Sequence, residues 1–185
     1  LGIAKENKDD LWLTALTFAT ASFGTGFNRA LLFLENEDHT QLVGKTGIGT
    51  NDPEKARRDW EYDANRDYQF NDFFAELKQK KNIFTDLHFL TRKIEFQPTH
   101  ANSIINQVFR GGHRKIVEED RIEEWLPKEI TGIIPLAECA VLPILSGNRT
   151  IGIVIVDNKH NVTPLSEKKL DQLQTLLNYT GLVWE

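Results

Sequence analysis

Apolar positions along this chain form two strand-like blocks more than one hundred residues apart, with a helical stripe at each end and a charged stretch between them. From Asp9 to Ser22, Leu11, Trp12, Ala15, Leu16, Phe18 and Ala19 fall on one broad face, with Thr14 and Thr17 opposite. This spacing predicts an amphipathic helix that stops near Gly24 and Gly26. Arg29 to Glu35 is a short continuous apolar run, the mark of a strand covered on both faces. The more polar run Thr40 to Ile48 returns beside it as a hairpin partner.

The second block is the stronger signal. Cys139 to Leu145 and Thr150 to Val156 are apolar runs flanking Ser146-Gly147-Asn148-Arg149, a hairpin pattern centred on a Gly-Asn turn. Pro143 lacks an amide hydrogen, so its position is expected at a bulge or an unpaired edge. After Thr163-Pro164, Leu170, Leu173, Leu177 and Trp184 form the stripe of a last helix, with Leu176 and Val183 adjoining. Gly181 costs its final turns roughly 1 kcal/mol relative to Ala, so packing must hold them.

The middle is less legible. Asp52-Pro53-Glu54 opens a charged helix running past Trp60 and Tyr62 towards Lys81, and the aromatic cluster with Tyr68, Phe70, Phe73 and Phe74 is read first as core. Arg92 to Gln97 alternates as a third strand. Asn102 to Arg110 is a helix ended by Gly111-Gly112, and Arg114 to Glu118 is a further short strand. The expected architecture is α+β: a single domain over residues 1–185 around an antiparallel sheet of about six strands. Its parts are an N-terminal helix (9–22), a sheet core with a helical middle (27–157) and a C-terminal helix (163–185).

Composition narrows the function. A formal net charge of -5 gives no general attraction to nucleic acid or to anionic lipid. No apolar run reaches the roughly 20 residues that span a bilayer, and no signal-peptide pattern opens the chain. A single cysteine, Cys139, forms no internal disulfide and points to a reducing, cytoplasmic setting. The chain opens at Leu1 without Met and ends inside a helical pattern, as a piece of a longer protein would.

The segment Phe23 to Leu34, with Leu42-Val43-Gly44 and Gly47-Ile48-Gly49 after it, resembles the opening of bacterial GAF domains. Val141-Leu142-Pro143-Ile144, the run Ile151 to Asn158 and the terminal helix resemble their ending, so the resemblance covers nearly the whole chain. It implies first and last helices packed on one face of the sheet and a ligand cavity, roofed by the middle of the chain, on the other. It also implies a non-catalytic sensor in a larger bacterial signalling protein, dimerising through its terminal helices to control an output domain such as a histidine kinase or diguanylate cyclase.

The candidate dimer-helix residues are then Leu11, Trp12, Phe18, Leu170, Leu173, Leu177 and Trp184. Cavity walls are expected from Phe33, Ile94, Phe96, Ile104, Ile105 and Val108. Polar selectivity would come from His100, Asn102, Asn106 or Arg110, unless these face solvent.

Other motifs reduce to chance. Gly44-Lys45-Thr46 lacks the earlier glycine of a phosphate-binding loop, since His39 stands there, and Gly24-Thr25-Gly26 precedes its strand instead of following it. His39, His88, His100, His113 and His160 show no metal-ligand spacing, so no metal site is assigned. His100, beside the roof helix, is the exception that could bind a ligand or an iron but is read first as a polar cap residue, and the cofactor is left open. Asn158-Lys159 and Glu167 match part of the pattern of cyclic-nucleotide-binding relatives, but Val162 and Ser166 replace its Phe and Asp. Cys139 is followed by Ala140, not by the His of bilin-attaching relatives. No catalytic residues are assigned. Two alternatives stay open: a small-molecule enzyme on a related scaffold, and a dimerisation module whose cavity is filled by its own side chains.

Overall fold

The computed structural model describes residues 2–66, 71–72, 75, 85–99, 103–161 and 163–184. Elements follow in the order α1 (Gly2–Thr20), β1 (Arg29–Glu35), β2 (Leu42–Ile48), α2 (Pro53–Arg66), α3 (Asp86–Thr91), β3 (Glu95–Phe96), α4 (Ile104–Gly111) and β4 (Lys115–Val117). A 3-10 turn (Glu119–Arg121) then leads to α5 (Ile122–Trp125), α6 (Lys128–Thr131), β5 (Cys139–Ser146), β6 (Arg149–Asp157) and α7 (Glu167–Trp184). Six strands form one antiparallel sheet in the order β3-β2-β1-β6-β5-β4.

The continuous apolar runs are explained by two covered faces. Along β1, Leu31 and Phe33 point into one core cluster, while Ala30, Leu32 and Leu34 point into the other. Val141, Ile153 and Ile155 join the first set; Ala140, Leu142, Val154 and Val156 join the second. Strand geometry alternates side chains, so a strand sandwiched between layers must be apolar at every position. The two terminal helices cover the second face: Trp12, Leu16 and Ala19 of α1 and Leu170, Leu173 and Leu177 of α7 are all buried there. The expected helix pair on one face is thus present.

Local chemistry fixes several contacts. β4 pairs only with Cys139 to Val141 of β5, so Pro143 lies beyond that ladder, where its missing amide hydrogen costs nothing. Its carbonyl accepts from Gln174 Nε2 of α7 at 2.8 Å. Gly44 and Gly47 let α3 lie directly on β2: a Cβ at Gly44 would strike the carbonyl of Thr91, and one at Gly47 would come within 2.8 Å of the Leu87 carbonyl oxygen. The Gly-Lys-Thr sequence is therefore a strand with a helix on it.

Three boundaries differ from the sequence reading. α1 starts at Gly2, because its first turns are polar and carry no periodic signal. The third strand shrinks to Glu95–Phe96, since Arg92 and Lys93 belong to the turn that ends α3. The segment 119–131, with no clear period, folds as three short helical turns that seat Ile122 and Ile130 in the core. Of the middle aromatics, Tyr62 is 59% exposed. The Trp60 side chain, Tyr68, Phe70, Phe73 and Phe74 lie outside the described residues.

Candidate functional site

The face opposite the terminal helices is roofed by α4. Ser103 caps that helix, its Oγ accepting from the Asn106 amide at 3.1 Å, and Gly112 ends it with φ 65°. This orientation turns Ile104, Ile105 and Val108 down onto the sheet. Phe33 meets Phe96 edge-on, with ring centroids 5.4 Å apart, and Ile94 completes the layer. All six apolar wall candidates come together in one cluster, none more than 3% exposed. Leu87, Ile122, Ile130 and Ile134 fill the space between them and the shorter helical turns. Among the described residues the layer beneath α4 is therefore a packed apolar cluster, with Asn106 of α4 at its edge.

Of the polar candidates, Asn106 is half-buried, and its Oδ1 is buried without a hydrogen bond among the described residues. Arg110 is exposed at the end of α4, on the rim of an open depression. His100 and Asn102 lie outside the described residues.

On the other face, Leu170, Leu173 and Leu177 are completely buried within the chain, against the sheet and α1. Trp12 packs on Trp184 at 5.3 Å, and Leu11 and Phe18 are half-buried. Tyr179, Leu182 and Val183 instead turn outward at 67%, 61% and 54% exposure, one apolar edge on the last turns of α7. Gly181 sits on the opposite, inward side, where a Cβ would collide with the carbonyl of Leu145.

A polar network closes one end of the sheet. Arg29, 1% exposed, pairs with Asp157 through both carboxylate oxygens, Nε to Oδ1 at 2.9 Å and Nη2 to Oδ2. The same guanidinium donates to Asn51 Oδ1 at 2.6 Å and to the Pro135 carbonyl at 2.9 Å. Asn51 in turn donates its amide to Asp86 at the start of α3. Beside it, Asn28 Oδ1 accepts the amides of His160 and Asn161, and His160 Nε2 donates to the Thr50 carbonyl at 2.6 Å. One buried cation therefore ties the inner strands to the loops after β2 and before β5, and its neighbour Asn28 ties them to the loop entering α7. Sequence reasoning missed this pair; the signal was a charge at the outer end of each of two apolar runs.

No sequence-family model matches the chain, and no curated protein sequence does. Solved structures do. Residues 122 to 287 of a methyl-accepting chemotaxis protein superpose with a TM-score of 0.62 at 11% identity, covering 97% of this chain and 88% of that one. A GAF domain/HD domain protein from Geobacter sulfurreducens gives 0.61 at 10% identity, covering 96% and 91%. The chain has the GAF fold. A red/green cyanobacteriochrome in its red-light-absorbing state is also similar, at 0.58 and 12% identity over 96% and 93%.

Within this GAF fold the motif-like residues have plain structural roles. Asn158 Oδ1 accepts from the Asn28 amide at 3.3 Å and its Nδ2 donates to the Thr163 carbonyl, while Lys159 makes no ion pair among the described residues. Cys139 is fully buried on β5, where burial first and the Asp157 carboxylate second push its thiol far above the ordinary range, so it is no nucleophile in the folded domain. His88 is buried on α3 with Nδ1 2.8 Å from Thr46 Oγ1; burial, then the nearby Arg92 charge, lowers its pKa. Among the described residues no group of three or more His, Cys, Asp or Glu side chains is placed to hold a metal ion, and no helix is long and apolar enough to cross a membrane.

Proposed function

We propose that this domain is a non-catalytic sensory module of a larger signalling protein, working in a reducing, cytoplasmic compartment. In this reading it binds an apolar or weakly polar small molecule beneath α4, and a homodimer formed along α1 and α7 relays occupancy to an output domain of the same chain. The observation that carries the reading is the division of one sheet between two layers: an apolar cluster under a short helix, and a terminal helix pair on the reverse. Strands β1, β5 and β6 contribute to both, so a ligand that spreads the roof side chains shifts the sheet on which both terminal helices rest. The chemotaxis protein and the cyanobacteriochrome are signalling proteins with the same fold, which supports the sensory part of the reading. No bond-making step is assigned.

Near-complete burial of all six wall residues favours one second reading, a dimerisation module with no ligand. A thermal-shift screen with small apolar metabolites, repeated on Ile105→Trp, separates the two. A ligand that raises the melting temperature of the wild type and not of the variant supports the sensor; a flat screen on a dimer supports the second reading.

A further inference from the structure

At the sheet end opposite the Arg29–Asp157 network, an open depression of about 760 Å³ separates the end of α4 from the β5–β6 and β1–β2 turns. Arg110 and His113 stand on one wall; Glu35, His39 and Arg149 stand on the other. The chain as a whole carries a net charge of -5 with His neutral, yet here two guanidiniums face one carboxylate, with two imidazoles beside them. That carboxylate is largely sequestered: Glu35, with its side chain 11% exposed, holds Arg149 and, at 2.9 Å, His39 Nδ1 on the same oxygen. Glu35 thus fixes the Arg149 guanidinium in place on that wall. Arg110 across the gap makes no ion pair or hydrogen bond among the described residues.

The remaining lining suits a ligand with a carbon skeleton. Phe109 and Leu145, both half-buried, supply apolar surface, and a Cβ at Gly111 or at Gly147 would meet nothing, so the backbone there is open to close approach. The C-terminal dipole of α4 opposes an anion, but this partial charge is exposed and weak beside charge-assisted bonds from a guanidinium fork.

We propose that this depression binds a small organic oxyanion, a carboxylate or phosphate ester, with its charged group between Arg110 and Arg149 and its apolar part on Phe109 and Leu145. This site is separate from the one proposed beneath α4, so either can be occupied without the other.

Titration calorimetry of the full chain at constant ionic strength tests it, with phenyl phosphate, benzoate and inorganic phosphate as probes. Arg110→Ala and His113→Ala are the site variants, both at exposed positions and checked for an unchanged melting temperature; Arg57→Ala, on the exposed face of α2, is the control. The expected result is saturable 1:1 binding of phenyl phosphate or benzoate that exceeds inorganic phosphate and weakens at least tenfold in Arg110→Ala but not in Arg57→Ala. Benzoate binding alone would make the ligand a carboxylate, and phenyl phosphate alone a phosphate ester. Absence of saturable binding by either, equal loss in Arg57→Ala, or unchanged affinity in Arg110→Ala would overturn it.

Discussion

Arg29 and Asp157, 128 residues apart, pair side by side at the start of β1 and the end of β6, with neither side chain more than 1% exposed. The pair lies across two strands that the apolar register already brings together. Its added effect is on the loops: through Arg29 the loop after β2 and the loop before β5 are held against the sheet. Removing one partner leaves a buried charge, so Arg29→Met and Asp157→Asn should each destabilise the domain by about 3–5 kcal/mol. The double variant Arg29→Met/Asp157→Asn should lose clearly less than the sum. Urea denaturation measures all three, and additive losses would show that the two groups act independently.

Gly181 and Gly111 predict opposite signs for the same substitution. Helix propensity alone favours Ala at both by up to about 1 kcal/mol. At Gly181 a Cβ collides with the Leu145 carbonyl of the neighbouring strand, and overpacking of this kind costs about 1–3 kcal/mol, so Gly181→Ala should be net destabilising. At Gly111 nothing stands within contact distance, and Gly111→Ala should be neutral or slightly stabilising. Chemical denaturation of both variants checks the pair.

How far the fold was legible follows from these residues. The β5–β6 hairpin and β1 were readable because burial on two faces demands unbroken apolar runs, and the Gly147-Asn148 turn marks the reversal. The seat of Gly181 was not, because a close helix–strand approach leaves only a missing side chain in the sequence. α3 was unread for the same reason: six residues are too few for a period, and its contact with β2 runs through Gly44 and Gly47. At the candidate site, the wall residues were legible as apolar positions, but a filled core and a lined pocket have the same pattern. The stripe Leu170, Leu173 and Leu177 was visible as a stripe, yet only the fold shows that it is used within the chain.

His88 should make stability fall on the acid side. Its folded pKa is lowered, by burial first and by Arg92 second, so below the ordinary value near 6.5 the unfolded chain binds a proton that the folded chain resists. This contribution is complete above about pH 6.5 and is lost as pH falls through the depressed folded value. His88→Gln, which can keep a hydrogen bond to Thr46, should flatten that part of the profile when melting temperature is followed from pH 7.5 to 5. A profile identical to that of the wild type would remove His88 as its source.

Cys139 should be inert while the domain is folded. Its thiol is fully buried and held protonated, so a disulfide-exchange reagent should label it only through unfolding, at a rate that rises with urea in step with the unfolding transition. Rapid labelling without denaturant would mean that β5 opens locally.

Native mass spectrometry of the purified chain bears most directly on the sensory reading, because it records oligomeric state and any retained small molecule together. The predicted result is a dimer, reduced to monomer by Leu182→Glu on the exposed edge of α7, carrying an apolar metabolite that is lost in Ile105→Trp. A monomer that carries nothing would contradict it.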